Sequence, residues 1–176
     1  MTQEKWNQEY ASGHWNGLHR IHEAHRYGIL SAYLTHLGAA QILDVGCGDG
    51  LLRHHWNGPR YAGLDISNVA LAKAKERFPK DAWIQGDFGK EIPEDLLKMM
   101  PFDAVLWNEV LYYLDLATAF KHWNLLCPSG HLLVSMQQNQ KNFVSLEALK
   151  NVLHCEVLVK TQVENLAWDL AVFRRK

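Results

Sequence analysis

The chain has 176 residues, of which 48% are hydrophobic and 21% charged, and its formal net charge at pH 7 is −1. This length suits one domain with a sizeable buried sheet, and the near-neutral charge argues against a nucleic-acid partner. No apolar run reaches the ~18 residues of a membrane span, and no apolar signal region opens the chain. The three cysteines are unpaired in spacing, which is typical of a reducing compartment and predicts a cytoplasmic protein.

Residues 1–40 are unusually rich in aromatic and imidazole side chains. They include Trp6, Tyr10, His14, Trp15, His19, His22, His25 and Tyr27. Two interpretations stay open: these side chains bury one face of a helix on the sheet, or they form a lid that excludes water from a site. Three of the histidines are spaced i, i+3, but no cysteine or carboxylate cluster joins them, so no metal is predicted. We expect residues 1–40 to form a helical lid and substrate-binding segment.

The segment Ile42–Gly50 is the most informative part of the chain. An apolar strand ends in a carboxylate, and three glycines then follow at alternate positions. Glycine permits positive φ and lets a ligand lie against bare backbone. The third glycine, Gly50, comes one residue too early for a dinucleotide fingerprint, and no Gly-Lys-Ser/Thr of a phosphate-binding loop follows. The pattern indicates a nucleotide-type cofactor turn, and a tight strand-to-helix turn without a ligand is the alternative.

Acidic residues also follow the next two predicted strands. Asp65 ends an apolar run and lies nineteen residues after Gly46, near the offset at which an acid accepts hydrogen bonds from ribose hydroxyls. Asp87 comes just past the third run, and Asn108 and Glu109 follow the fourth. The sequence therefore predicts a row of polar side chains at the carboxyl ends of successive strands.

Strand-like and helical patterns alternate along the chain. The predicted strands begin near residues 41, 60, 82, 102 and 131. The first three are continuous apolar runs, as expected for parallel strands covered on both faces. Ser67 is predicted to cap a helix over 68–77. After a short helix over 145–153, the runs 154–160 and 166–173 have no helix between them, which predicts an antiparallel hairpin.

These landmarks together resemble the class I S-adenosylmethionine-dependent methyltransferases. The loop after Leu43-Asp44-Val45 is similar to motif I, residues 102–114 are similar to motif IV, and Leu126–Gly130 is similar to the turn before the fifth strand. The resemblance covers roughly residues 20–176. It implies an α/β fold with a Rossmann-like doubly wound seven-stranded sheet, mostly parallel with an antiparallel C-terminal strand. It also assigns residues 41–176 to the cofactor-binding part of one compact domain.

The resemblance implies S-adenosylmethionine as the cofactor and a set of residues that bind it. This set contains Arg26, Asp44, Gly46, Cys47, Gly48, Gly50, Asp65, Ile66, Asp87, Phe88 and Asn108. Asp44 is expected near the amino group of the cofactor, or it orients the loop through backbone amides. The segment before motif I resembles that of the ubiquinone-biosynthesis O-methyltransferases, in which an arginine pairs with the cofactor carboxylate. Arg26 is the matching residue here, and a solvated helix charge is the alternative.

The resemblance also implies the reaction, an in-line attack on a sulfonium methyl group. Positioning and exclusion of water supply up to ~7–11 kcal/mol to such a step, and a general base adds ~10²–10⁴-fold where the nucleophile carries a proton. The candidate bases are His14, His19 and Glu109. The residues expected to bind the substrate are Tyr10, Trp15, Tyr112 and Tyr113.

We therefore predict an enzyme that transfers a methyl group to an O or N atom of a small molecule, as a monomer or homodimer without nucleic-acid or membrane partners. One alternative is a non-catalytic protein that binds S-adenosylmethionine or S-adenosylhomocysteine. The other is a methyltransferase that acts on a protein. The chain lacks an Asn/Asp-Pro-Pro-Tyr motif after the fourth strand, which argues against methylation of nucleic-acid bases.

Overall fold

A computed structural model describes residues 2–176, and all of their side chains except those of 140–145. The helices are α1 Gln3–Ala11, α2 Ile21–His36, α3 Leu51–His55, α4 Asn68–Arg77, α5 Glu94–Met99, α6 Leu116–Leu126 and α7 Gln140–Val152. The strands are β1 Gln41–Val45, β2 Arg60–Asp65, β3 Ala82–Gln85, β4 Ala104–Asn108, β5 His131–Gln137, β6 Leu153–Val163 and β7 Leu166–Arg175. Short 3-10 helices span His14–His19 and Leu111–Tyr113.

The seven strands form one sheet in the order β3-β2-β1-β4-β5-β7-β6. Strands β1 to β5 pair in parallel, whereas β7 is antiparallel to both β5 and β6. The chain winds outward from β1 to β3 and then returns to place β4 beside β1. Strand order therefore reverses between β1 and β4, which is where open α/β sheets bind ligands. The predicted doubly wound seven-stranded fold is confirmed.

Helices cover both faces of the sheet, so alternate residues of each central strand enter two separate cores. On β1, Leu43 and Val45 pack on the side of α5, α6 and α7, whereas Ile42 packs on the side of α2 and α3. Burial of both faces explains why the central strands read as continuous apolar runs. The same alternation places the Asp44 carboxylate on the α2–α3 side, where this residue is only 2% exposed.

Local signals predicted some boundaries well and others poorly. The Ser67 hydroxyl accepts a hydrogen bond from the Ala70 amide at 3.1 Å, and α4 has the predicted ends. Strand β3 lies at the edge of the sheet and pairs with β2 alone, and both of its faces are packed: Ala82 and Ile84 contact one core and Trp83 contacts the other. Helix α7 begins at Gln140 rather than Ser145, because its polar first turn carries no apolar periodicity.

No helix within residues 2–176 combines the length and the apolar character that crossing a membrane requires.

Candidate active site

A cavity of about 320 Å³ lies where the strand order reverses. Its wall contains residues from the carboxyl ends of β1, β2 and β4, from the turn after β3, and from the N-terminal segment and β7. This volume lies within the range of ~300–1,000 Å³ that is usual for small-molecule sites. The cavity is therefore the candidate functional site.

The glycine loop after β1 is held in place by the acid at the end of β2. The Asp65 carboxylate accepts hydrogen bonds from the Gly48 and Ser67 amides, each at 2.8 Å. Gly48 has φ +55, and a Cβ added there would lie 2.5 Å from the Tyr10 hydroxyl oxygen. Glycine at this position thus provides the left-handed turn and also lets helix α1 lie directly against the loop.

Arg26 projects from α2 into the wall of the cavity and is only 1% exposed. Its guanidinium donates to Asn108 Oδ1 at 2.6 Å, to Glu23 Oε2 at 2.7 Å and to the Tyr27 hydroxyl at 3.0 Å. The alternative of a solvated helix charge is wrong, since this side chain is buried. These bonds join α2 to the end of β4, next to the glycine loop.

Two carboxylates on the wall, the buried Asp44 and the half-buried Glu109, each carry a buried oxygen without a hydrogen-bond partner among the described residues. Asp44 accepts from the Tyr61 hydroxyl through Oδ2, and its Oδ1 is unpartnered. Glu109 accepts from the Tyr112 hydroxyl at 3.4 Å through Oε2, and the Gln137 backbone also lowers the pKa of this carboxyl, whereas Oε1 has no hydrogen bond of standard geometry. Burial raises the pKa of both carboxyls to about 7. Such atoms are costly to bury unless a ligand satisfies them.

The N-terminal segment divides between the core and the cavity. Helix α2 buries Tyr27, Leu30 and Leu34 beneath the sheet, whereas α1 has no buried residue. Trp6 of α1 stacks on Trp15 with ring centroids 5.6 Å apart, and both line the cavity. Each interpretation therefore describes one part of the segment. Helix α2 packs on the sheet, whereas α1 and the following 3-10 helix border the cavity. That these two elements act as a lid stays a prediction.

The cavity brings together all but three of the predicted site residues, and the exceptions are His14, His19 and Gly50. The His14 ring lies edge-on to Trp15, and His19 Nε2 lies 2.8 Å from Asp49 Oδ2. Neither imidazole lines the wall, so Glu109 is the one predicted base that does. In the part of the chain with described side chains, no group of His, Cys, Asp or Glu could hold a metal ion.

Several residues of the wall were missed at the level of sequence. They include Glu23, Tyr27, Gln137, Leu166 and Trp168. Glu23 could have been predicted, because its i, i+3 spacing from Arg26 on a helix is typical of an ion pair. No local signal marks Leu166 and Trp168, because they reach the cavity only through the pairing of β7 with β5.

The comparisons with known proteins agree with this geometry. A family model described as "Methyltransferase domain" matches residues 43–134. Trans-aconitate 2-methyltransferase of Escherichia coli O139:H28 (strain E24377A / ETEC) is 33% identical over 104 residues, which are 56% of this chain. The match is 39% of the relative's length, so the chain spans about two fifths of the curated relatives it matches. The protein of the same name from Shigella flexneri matches equally well.

Solved structures share the fold over nearly the whole chain. N-methyltransferase NodS from Bradyrhizobium japonicum WM9, in complex with S-adenosyl-L-homocysteine, has a TM-score of 0.75 at 21% identity. That alignment covers 98% of this chain and 97% of NodS. Magnesium protoporphyrin IX methyltransferase (ChlM) from Synechocystis PCC 6803, with bound S-adenosylhomocysteine, has a TM-score of 0.73 at 13% identity, covering 99% and 98%. At these identities the likeness shows the fold alone.

The family model spans more than half of the chain, including the glycine loop, the two acids that follow it and the motif IV segment. The chain therefore belongs to the methyltransferase-domain family, within the class I S-adenosylmethionine-dependent methyltransferases.

Proposed function

We propose that this chain binds S-adenosylmethionine in the cavity and transfers its methyl group to an O or N atom of a small molecule. The observation that carries the proposal is the combination of a buried arginine and an unpartnered carboxylate oxygen beside the glycine loop. An amino-acid group carries both a carboxylate and an ammonium, and it needs one partner of each sign.

Arg26 would hold the carboxylate of the cofactor. Its three hydrogen bonds use three of the five N–H groups of a guanidinium. One N–H on each Nη atom is left, which suits two parallel bonds to a carboxylate. The unpartnered Oδ1 of Asp44, on the same wall, would accept from the ammonium.

The acids after β2 and β3 would hold the nucleoside. The Asp65 carboxylate accepts two loop amides and has about two more acceptor sites, enough for the ribose hydroxyls. Asp87 and Phe88 line the next part of the wall, where a carboxylate and a buried ring suit the adenine. Residues from three strand ends thus fit the three chemical parts of the cofactor.

The remaining wall would receive the methyl acceptor. When bound, the cofactor supplies a methyl group already activated by its positive sulfur. The chain's own residues then position the acceptor in line and exclude water, which is where most of the acceleration arises. Trp6, Trp15, Tyr113 and Leu114 provide apolar surface for that purpose. The small-molecule methyltransferases among the relatives and structural neighbours support a small acceptor.

Replacing Asp65 with alanine tests this assignment. We expect the affinity for S-adenosylmethionine to fall by about 1.5–3 kcal/mol, the usual worth of hydrogen bonds to a charged group. Isothermal titration calorimetry measures the change, and circular dichroism confirms that the variant is folded. Glu76→Ala removes an exposed carboxylate from α4 and should leave the affinity unchanged. A folded Asp65→Ala protein with wild-type affinity would refute the ribose assignment.

A further inference from the structure

The charge of the cavity wall is strongly one-sided. Six acidic residues line it: Glu23, Asp44, Asp49, Asp65, Asp87 and Glu109. Among the lining residues whose side chains the structure describes, Arg26 is the one basic group, and no lysine or histidine joins it. A wall of this composition favours a cationic ligand and repels an anionic one.

Three of the six acids are already paired with basic groups. Asp87 lies 3.0 Å from Lys90 Nζ. Glu23 pairs with Arg26 at 2.7 Å. Asp49 lies 2.8 Å from His19 Nε2 and 3.2 Å from Arg77 Nη2. These three carboxylates are paired with basic groups of the protein and do not call for a charged ligand.

The proposed function assigns Asp44 to the ammonium of the cofactor, Asp65 to the ribose and Asp87 to the adenine. Glu109 is then the one lining acid without an assignment. Its neighbour Arg26 makes its hydrogen bonds to Glu23, Asn108 and the Tyr27 hydroxyl, and acts on the pKa of Glu109 through its charge.

Glu109 is held in an unusual backbone conformation at the end of β4. Its φ of +57 lies in the left-handed region that non-glycine residues rarely adopt. The Glu109 amide donates to the Ser135 carbonyl at 2.8 Å, which fixes this turn on β5. Strained residues of this kind cluster at functional sites, and here the turn sets a half-buried carboxylate with a buried, unpartnered Oε1 on the cavity wall.

An aromatic cluster lies on the same wall and consists of Trp6, Trp15, Tyr112 and Tyr113. Ring centroids are 4.4 Å apart between Tyr112 and Tyr113, 5.2 Å between Trp6 and Tyr113, and 5.6 Å between Trp6 and Trp15. The Tyr112 hydroxyl also donates to Glu109 at 3.4 Å, which joins the cluster to the carboxylate. Aromatic faces attract cations as well as apolar groups.

We propose that the methyl acceptor is a small amine with an apolar or aromatic body, whose nitrogen is received by the Glu109 carboxylate and whose body packs on the aromatic cluster. This inference rests on the proposed function and narrows its acceptor atom to nitrogen. Glu109 contacts the reacting nitrogen and is therefore a catalytic residue in this account.

The proton balance of the reaction suits this carboxylate. An ammonium first gives one proton to Glu109, which frees the nitrogen lone pair. That lone pair forms the new N–C bond while the C–S bond breaks, and its electron pair stays on sulfur as a neutral thioether leaves. The product is a methylated ammonium beside a protonated Glu109. Burial, opposed in part by Arg26, raises the pKa of Glu109 to about 7, which brings a carboxyl closer to the basicity of an amine.

The test compares three probes of nearly equal size on protein saturated with S-adenosylhomocysteine. Phenethylamine is a cation, 2-phenylethanol is neutral and 3-phenylpropanoate is an anion at pH 7. We expect phenethylamine to bind at least about tenfold more tightly than 3-phenylpropanoate in ligand-observed NMR titrations, because a charge-assisted hydrogen bond is made only by the cation. Glu109→Gln should remove this preference and leave the binding of 2-phenylethanol unchanged.

Two controls make the outcomes distinct. Glu76→Gln, an exposed carboxylate on α4, should keep the preference. Calorimetry with S-adenosylhomocysteine alone checks that the cofactor site of Glu109→Gln is intact. The amine inference is overturned, and the proposed function stands, if S-adenosylhomocysteine binds but phenethylamine binds no more tightly than 3-phenylpropanoate. The same holds if the Glu109→Gln protein still binds phenethylamine more tightly than 3-phenylpropanoate. If S-adenosylhomocysteine does not bind to the wild-type protein, both fall together.

Discussion

Replacing Arg26 with alanine is expected to lower the free energy of unfolding by about 3–5 kcal/mol, the cost of breaking a buried ion pair and leaving one charge behind. Arg26 is 1% exposed and bonds to Glu23, Asn108 and the Tyr27 hydroxyl. The substitution strands the Glu23 carboxylate, which is 17% exposed, and removes the neighbouring positive charge that opposes the raised pKa of Glu109. Urea unfolding followed by circular dichroism measures the change.

Arg174→Ala is the matched control for that experiment. Arg174 also pairs with a glutamate, Glu156, at 2.6 Å, but its side chain is 52% exposed. Exposed pairs contribute about 0–1 kcal/mol because solvent screens them, so this variant should unfold almost as the wild type does. Similar losses for Arg26→Ala and Arg174→Ala would contradict the view that Arg26 is the buried centre of a network.

Gly130→Ala is expected to cost about 3 kcal/mol of stability or more, at the upper end of what overpacking does. Gly130 lies in the turn between α6 and β5, where an added Cβ would overlap the backbone carbonyl of Asp103 and lie 2.5 Å from Cys127 Sγ. The same carbonyl accepts a hydrogen bond from the His131 amide at 3.0 Å, so backbone on both sides of the contact would have to move. Thermal and urea unfolding of the purified variant measure the loss.

The control for Gly130→Ala is a second glycine-to-alanine change, which is expected to raise the stability rather than lower it. Gly28 lies within α2, has ordinary helical φ, and a Cβ there would meet nothing within 4 Å. Because alanine is the better helix former, Gly28→Ala should raise the stability by about 0.5–1 kcal/mol. If Gly130→Ala were as stable as Gly28→Ala, the backbone at Gly130 could not lie as close to the Asp103 carbonyl as the structure places it.

The features that could be predicted from the sequence depend on residues close together in the chain. The sheet and its cofactor-binding edge were predictable because each central strand is a continuous apolar run with a polar residue at or next to its end, as at Asp44, Asp65 and Asn108. Parallel strands bring those ends to one edge without further information. The cap of α4 was predictable because Ser67 bonds to an amide only three residues away.

What could not be predicted depends on contacts between distant segments. Leu166 and Trp168 reach the cavity only because β7 inserts between β5 and β6. The imidazoles of His14 and His19 were predicted as bases from residue type alone, and the structure directs His19 to Asp49 instead. The edge position of β3 likewise is a property of the whole sheet and not of the run Ala82–Gln85.

The central claim is that the cavity is built for S-adenosylmethionine, and a calorimetric titration of the purified protein tests it most directly. The titrants are S-adenosylmethionine, S-adenosylhomocysteine and, as a control, NAD. We expect micromolar binding of the first two and none of NAD, because the loop lacks the dinucleotide spacing. Absence of binding by both sulfur compounds, or binding of NAD in their place, would contradict the account.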